Sequence, residues 1–221
     1  MTFSILACDR ESGAIGGAAA TGSLCVGGWV LRGDLAAGMS ASQGASPSTF
    51  WGEEVLRYLS EGVSVSRAVE QVTSQDSGRE HRQLSAIDQQ GNAAAFTGTQ
   101  NQDTKDSLVF DNGVVAGNML SGKSVLPAMV DSFVSSDLGF AERLLACLSA
   151  ASSAGGDYRG LLSAALLVLH PDQPPLTLRI DWQDDDPISA LQQLYRKATS
   201  GEYANWLRQV PVTTDRERTL V

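Results

Sequence analysis

Thr2 is the residue whose type and position most directly suggest chemistry. It begins an apolar stretch, Thr2 to Ala7, behind an initiator methionine of the kind that is removed when the next side chain is small. A threonine hydroxyl is a weak nucleophile, but an adjacent free α-amine, with a reference pKa of about 8, can accept its proton directly or through one water. The alternative is a structural threonine at a strand start, where β-branched residues are common.

The hydrophobic pattern predicts the strands that must position Thr2. Thr2 to Ala7 and Ile15 to Ala20 flank a polar turn and predict a hairpin, and Leu35 to Ser42 predicts a third strand. Apolar stretches bounded by turn residues predict the remaining strands: Leu84 to Ile87, Ala93 to Thr97, Gly113 to Met119, Ser163 to Leu169 and Leu176 to Ile180. We expect the strands of the middle of the chain, residues 84–119, to be central in their sheet.

Helical spacing of apolar residues predicts two helix pairs and a last helix. The predicted helices are Phe50 to Leu59, Val65 to Val72, Leu126 to Phe133, Phe140 to Leu148 and Asp186 to Tyr195. Helix pairs separated by antiparallel strands fit an α+β fold, a four-layer α/β/β/α sandwich, because each sheet can bury one face on the other and one on helices. We expect one domain over residues 1–212 and a polar, mobile C-terminal tail over residues 213–221.

Composition and charge exclude several classes of protein. The chain has 221 residues, 22 of them glycine, and a net charge of −9 without a basic stripe, so nucleic-acid binding is not expected. No segment resembles a signal peptide or a membrane span, which favours a cytoplasmic protein without a leader or a membrane partner. The three cysteines are widely spaced and the histidines number two. We therefore expect no disulfide framework, no metal site and no cofactor.

Four motifs together carry a family resemblance. Residues 2–9 (TFSILACD), 78–83 (GREHRQ), 116–120 (AGNML) and 155–166, which begins with GGDYRG, resemble the DUF1028 family, a bacterial and archaeal family of unknown function. That family is assigned to the N-terminal nucleophile (Ntn) hydrolase superfamily, and the resemblance covers nearly the whole chain. It implies the four-layer fold that the pattern predicts independently. It also implies hydrolysis of an amide bond in which the protein's own N-terminal Thr, Ser or Cys is the nucleophile.

The resemblance implies roles for three residues. Thr2 would attack a carbonyl and form an acyl-enzyme that water releases. Asn118 would donate a hydrogen bond to the oxyanion, or it bonds local backbone at its strand end. Asp157 lies in a loop that resembles the proteasomal loop near the terminal amine, where it would orient that amine; alternatively it is a turn aspartate after two glycines.

The chain also departs from the proteasomal pattern. Proteasomal subunits place a lysine near the nucleophile, whereas the first lysine here is Lys105. Arg32 lies near the corresponding stretch, where its permanently charged guanidinium would stabilise an oxyanion or bind a substrate carboxylate. Gln43, at the end of the third predicted strand, is a candidate for lining the cleft, and Ser42 and Ser163 are similar candidates.

Residues 78–83 form the densest polar cluster. Arg79 and His81 are candidates for binding an anionic substrate, with His81 as an acid or base. The favoured alternative is an ion-pair corner that joins a helix to the sheet. A Cys8 or Cys25 nucleophile paired with His81 has no recognisable motif.

Two functions from different classes follow. One is an amidohydrolase that acts on a small amide or peptide-like metabolite through Thr2. The other is a non-catalytic small-ligand-binding or assembly protein on the same scaffold, in which Met1 is retained. In either case we expect a homodimer, since cyclic dimers are the commonest homo-oligomers.

Overall fold

Two antiparallel sheets carry the fold in a computed structural model that describes residues 2–220. The predictions of Met1 removal and of a tail that ends at Val221 concern residues outside the described range. The larger sheet contains β1 (Thr2–Asp9), β2 (Ala14–Thr21), β7 (Asp106–Phe110), β8 (Gly113–Asn118), β9 (Ser163–His170) and β10 (Gln173–Ile180). The smaller sheet contains β3 (Leu31–Asp34), β4 (Gly38–Gly44), β5 (Arg82–Ile87) and β6 (Ala93–Thr97). Their orders are β10-β9-β2-β1-β8-β7 and β3-β4-β5-β6.

Helices connect and cover these strands. They are α1 (Val26–Trp29), α2 (Thr49–Ser60), α3 (Val65–Ser74), α4 (Val125–Val134), α5 (Phe140–Ser153), α6 (Pro187–Ala198) and α7 (Gly201–Leu207), with a 3₁₀ turn at Arg79–His81. The two predicted helix pairs are confirmed as α2 with α3 and α4 with α5. The last predicted helix is α6, which begins where Asp186 accepts a hydrogen bond from the backbone N–H of Ser189 and Pro187 occupies the first turn.

The alternation of β1 divides its residues between two cores. Phe3, Ile5 and Ala7 pack in the core that also contains residues of α4, α5 and α6. Leu6 and Cys8 point the other way, into a core between the two sheets. Successive side chains of a strand face opposite sides, so this eight-residue strand is buried on both faces.

A third core lies on the outer side of the smaller sheet. Leu84 and Ala86 of β5 pack there against Trp51 and Val55 of α2 and against residues of α3. The structure thus confirms a mixed α/β protein with two antiparallel sheets. Among the helices of residues 2–220, none combines the length and the apolar character that a membrane span requires.

Several predicted elements were wrong in extent or position. The predicted strand Leu35 to Ser42 begins too early, because residues 35–37 form a turn and β4 starts at Gly38; β3, which precedes this turn, was not predicted. Asp34 holds this turn by accepting hydrogen bonds from the backbone N–H groups of Ala36 and Ala37. The edge strand β7 and the short helices α1 and α7 were not predicted. Of the strands expected to be central, β6 is instead the outer strand of the smaller sheet.

The end of the chain folds back on the β9–β10 turn. Val212 and Asp215 form an isolated β-bridge, and the Thr214 hydroxyl donates to Asp172 at 2.5 Å. Arg218 pairs with Asp215 at 3.3 Å. The polar residues after position 212 therefore contact the larger sheet at the end opposite to the start of β1.

Candidate functional site

Thr2 begins β1 inside the six-stranded sheet and is paired on both sides. It lies opposite Thr21 of β2 and opposite Asn118 of β8. Directly opposed residues of antiparallel strands point to the same face, so the three side chains form one group facing the smaller sheet. The Thr2 hydroxyl donates to Thr21 Oγ1 at 3.2 Å. The start of β1 therefore gathers two hydroxyls and an amide.

A cavity of about 630 Å³ opens beside Thr2, a size that suits a small molecule. The polar part of its lining comes from the strand ends and a residue just beyond β2: Thr2, Thr21, Ser23 and Gln43. The apolar part comes from the segment around α1: Leu24, Val26, Trp29 and Val30. The end of β4 and the following loop add Gly44, Ala45, Ser46 and Pro47, and three further segments add Gln102, Met119 and Arg159. The cavity lies at the polar end of the layer between the sheets.

A buried amide, Gln83, fixes the orientation of the hydrogen bonds behind the cavity. Its Nε2 lies 2.8 Å from Thr97 Oγ1, 3.0 Å from the carbonyl oxygen of Asp106 and 3.2 Å from that of Gly117. Backbone carbonyls only accept, so this end of the amide must be the donor. Its Oε1 consequently accepts from Gln43 Nε2 at 2.7 Å.

Gln43 and Asn118 connect this amide to the start of β1. Gln43 Oε1 accepts from the Ser4 hydroxyl at 2.8 Å, and Gln43 Nε2 lies 3.4 Å from the Thr2 carbonyl oxygen. Asn118 Nδ2 lies 3.4 Å from Gln83 Oε1, whereas Asn118 Oδ1 is buried without a hydrogen-bond partner. Such an oxygen is uncommon in folded proteins, and here it belongs to a residue directly opposite Thr2.

The carboxylate of Asp157 organises the neighbouring loop. Its Oδ2 accepts from the backbone N–H of Gly22 at 2.8 Å and from Arg159 Nη2 at 3.1 Å, and its Oδ1 accepts from the backbone N–H of Arg159 at 2.8 Å. A Cβ at Gly22 would lie 2.5 Å from this carboxylate, so the close approach requires glycine. The side chain of Asp157 is fully buried and lies behind the cavity wall rather than in it.

Ser163 fixes the segment that forms the apolar part of the cavity. Its hydroxyl donates to the carbonyl oxygen of Ser23 at 2.7 Å and accepts from the backbone N–H of Val26 at 3.1 Å. The backbone N–H of Cys25 also donates to the carbonyl of Asp181, which follows β10. These bonds attach α1 to the edge of the larger sheet, so Ser163 acts here as a structural residue.

Arg32 lies on the opposite face of the smaller sheet from the cavity. It pairs with Glu53 of α2 at 3.7 Å, and its stem packs against Gly52, where a Cβ would lie 3.3 Å from Arg32 Cγ. Ser42 also points to this side, and its hydroxyl donates to the carbonyl of Ser48. The structure therefore brings Thr2, Gln43 and Asn118 together but not Arg32.

The cluster at residues 78–83 forms contacts between segments. Arg82 pairs with Asp76, which follows α3, at 2.8 Å and also contacts the carbonyl oxygen of Ser46. Glu80 accepts hydrogen bonds from the backbone N–H and the hydroxyl of Thr99, which lower the pKa of its carboxyl group. The cluster joins α3, β5 and the loop after β6.

Neither Arg79 nor His81 lines the cavity among the described residues. Arg79 pairs with Glu80 at 3.1 Å and lies over the ring of Phe96, 5.5 Å from its centroid. The backbone carbonyl of His81 accepts from the N–H of Ser46, and this bond holds the loop after β4. The contacts agree with the ion-pair corner rather than with an anion pocket.

The cysteines do not form a second candidate site. Cys8 lies at the far end of β1 from Thr2, where burial raises the pKa of its thiol. Burial raises the pKa of the Cys147 thiol to about 12. Across residues 2–220, no group of three or more His, Cys, Asp or Glu side chains is arranged to hold a metal ion.

Sequence reasoning missed Thr21 and Gln83. Both are polar residues at inward-facing positions of buried strands, with no exposed surface in the case of Gln83. The available signal was periodicity: Gln83 shares its strand face with Ser85 and Ile87, so an inward glutamine followed by apolar or small residues indicates a buried polar network.

The fold and cavity define a mixed α/β protein with two antiparallel sheets and a hydroxyl-bearing pocket at one end of the layer between them. The chain belongs to the family of unknown function DUF1028, whose model matches residues 2–191. A DUF1028 protein of known crystal structure, from Silicibacter pomeroyi, is 68% identical; the match covers 100% of this chain and 96% of that chain, with a TM-score of 0.97. No functionally curated protein matches the chain. The family resemblance is therefore confirmed.

Proposed function

We propose that this protein hydrolyses a small amide or peptide-like metabolite with Thr2 as an N-terminal nucleophile. The observation that carries the proposal is the position of Thr2, whose hydroxyl lies at the start of an inner strand, in the wall of a cavity and beside a second hydroxyl. We further propose that the two sheets and their helix pairs are a four-layer sandwich of the Ntn hydrolase type. The cores on the outer sides of both sheets support this assignment.

The chemistry needs only groups of the chain and water. After removal of Met1, the Thr2 α-amine takes the proton of the hydroxyl while Oγ1 bonds to the substrate carbonyl carbon. The tetrahedral intermediate collapses when its C–N bond breaks and the α-ammonium gives a proton to the leaving amine. Water then attacks the Thr2 ester, with the amine again as base, and releases the acid. Thr21, in hydrogen-bond contact with the nucleophile, orients the attacking oxygen.

Asn118 is the residue we propose beside the reacting atoms. One N–H of its amide points to Gln83 Oε1, and we propose that the second N–H donates to the oxyanion. Its unpartnered Oδ1 is an acceptor for the Thr2 α-amine. Because Gln83 is fixed by backbone carbonyls, it sets which atom of Asn118 is donor and which is acceptor.

In this proposal Asp157 does not contact the substrate or the reacting atoms. Its carboxylate oxygens are occupied by Gly22 and Arg159, so we propose that it positions the strand ends around Thr2 instead of contacting the α-amine. Two observations support a second candidate function, a ligand-binding protein without catalysis: Asp157 is bound elsewhere, and the chain has no lysine before Lys105.

One experiment separates the two functions. The intact mass of protein from its native source shows whether Met1 is absent; the wild type and Thr2→Ala are then compared in hydrolysis of a panel of acyl p-nitroanilides. We expect loss of turnover in Thr2→Ala with an unchanged melting temperature, and a covalent acyl adduct on Thr2 only in the wild type. Full retention of Met1 would rule out this mechanism and leave the binding function, whereas turnover by Thr2→Ala would show that Thr2 is not the nucleophile.

The cellular location, the oligomeric state and the partner of the protein stay predictions. We propose a cytoplasmic homodimer whose partner in the cell is a small molecule. Light scattering during size-exclusion chromatography tests the dimer, and a mass equal to one chain at every concentration would contradict it.

A further inference from the structure

We infer that the acyl group of the substrate is uncharged and apolar, so that the cavity selects N-acyl amides and rejects peptides with a free α-ammonium group. This inference rests on the proposed function, since it concerns the same cavity. It follows from two features of the lining. One side of the cavity is an apolar wall, and the charged residue that lines the cavity among the described residues, Arg159, is positive.

The apolar wall consists of Leu24, Val26, Trp29 and Val30. Val26 and Val30 are 2% and 4% exposed and anchor the segment, whereas Leu24 and Trp29 are 54% and 53% exposed. The bonds from Ser163 and Asp181 hold the backbone of this segment in place. A fixed wall that presents two large uncovered apolar side chains beside a candidate nucleophile favours an apolar ligand group.

The charges around Thr2 disfavour a substrate ammonium group. An α-ammonium is one carbon away from the scissile carbonyl, so it would have to lie within a few ångströms of Thr2. Arg159 is the one charged residue among the described residues that line the cavity, and its charge is positive. The carboxylate of Asp157, which pairs with this arginine, is fully buried and also accepts from the backbone N–H of Gly22. An ammonium entering this cavity would lose water without gaining an ion pair.

The Thr2 α-amine adds to this selection. In its protonated form it carries the same charge as a substrate ammonium group and lies next to the reacting carbonyl. Thr21 and Gln43 are neutral and already hydrogen-bonded to β1. The acceptor opposite Thr2, Asn118 Oδ1, is the one we assign to the Thr2 α-amine itself. The substrate side chain would instead extend from the carbonyl towards Trp29.

The direct test uses two substrates that differ only in the α-amino group: 3-phenylpropionyl-p-nitroanilide and L-phenylalanyl-p-nitroanilide. We expect kcat/KM to be at least about tenfold higher for the first, equivalent to about 1.4 kcal/mol. Equal values, or a preference for the aminoacyl substrate, would overturn the inference.

Two pairs of variants test the wall itself. Leu24→Glu adds a carboxylate at an exposed position and should shift the ratio of kcat/KM towards the aminoacyl substrate by about tenfold, whereas Leu24→Gln should keep the ratio. Trp29→Ala should raise KM for the phenylpropionyl substrate about tenfold, while Trp206→Ala, a half-exposed tryptophan on α7, should leave it unchanged. An unchanged KM in Trp29→Ala would show that the wall does not bind the acyl group.

Binding to Thr2→Ala separates this inference from the proposed function. The tryptophan fluorescence of this variant is followed during titration with 3-phenylpropionamide and with L-phenylalaninamide. Selective binding of the first compound, without turnover by the wild type, would support the acyl selectivity and refute the hydrolase. Turnover with equal binding of both would refute the selectivity alone, and neither turnover nor binding would refute both.

Discussion

Replacing Gln83 with methionine tests the amide network by removing its central member at nearly constant volume. The substitution removes a hydrogen bond from each of three groups, the buried carbonyl oxygen of Gly117, the buried amide of Gln43 and the part-buried carbonyl oxygen of Asp106. Each buried polar group without a partner costs about 1–3 kcal/mol. With partial relaxation, Gln83→Met should lower the free energy of unfolding by about 3–5 kcal/mol, a large part of the stability of a typical domain. The melting temperature should fall by about 10 °C.

Urea denaturation followed by circular dichroism measures this loss, and a neighbouring residue supplies the control. Ser85 lies two positions further along the same strand face, buried, with a hydroxyl that has no partner. Ser85→Ala should therefore leave the free energy of unfolding unchanged within about 0.5 kcal/mol or raise it. Thr97→Val, which removes one acceptor from Gln83, should cost about 1 kcal/mol and reports on the network if Gln83→Met does not fold. Equal effects of Gln83→Met and Ser85→Ala would refute the reasoning.

Further predictions concern the thiols and the start of α6. Burial raises the pKa of Cys147 to about 12 and also raises the pKa of Cys8. Iodoacetamide at pH 8 should therefore alkylate the half-buried Cys25 first, which peptide mass mapping would detect. Equal alkylation rates of the three thiols would contradict this prediction. Asp186→Ala should cost about 1 kcal/mol at pH 7, since the side chain accepts hydrogen bonds at the helix N-terminus, which lower its pKa. That contribution is complete above the unfolded pKa of about 3.9 and is lost as pH falls through the lower folded pKa, so the difference from wild type in urea melts should shrink below about pH 4. The exposed neighbour Asp185, replaced by alanine, should show no such difference.

The two helix pairs and α6 could be predicted from the sequence because their apolar residues recur at helical spacing. The β1–β2 hairpin could be predicted because two apolar stretches flank a polar turn. The turn between β3 and β4 could not, because Leu35, Ala36 and Ala37 are as apolar as a strand, and it is the side chain of Asp34 that bends the chain there. Edge strand β7 is half exposed along its length, so its pattern is weak.

The site could be predicted only where it depends on one strand. Thr2 follows from its place at the start of β1, and Gln43 from its place at a strand end. The role of Gln83 depends on how the two sheets meet, which no local pattern contains. Arg32 illustrates the same limit: neighbouring Leu31 faces the core between the sheets, so Arg32 faces α2 and not the cavity.

The order of strands in the larger sheet has a consequence for how the chain folds during synthesis. β1 and β2 can pair as soon as residue 21 is made, but their outer neighbours are β8 at residues 113–118 and β9 at residues 163–170. Until those segments leave the ribosome, the hairpin has two open edges, which are templates for pairing with other chains. Closing the sheet also requires contacts of long sequence separation, which form slowly. A nascent or truncated chain that ends before residue 163 should therefore aggregate through β2, and the Thr2 cavity forms only after most of the protein has been synthesised.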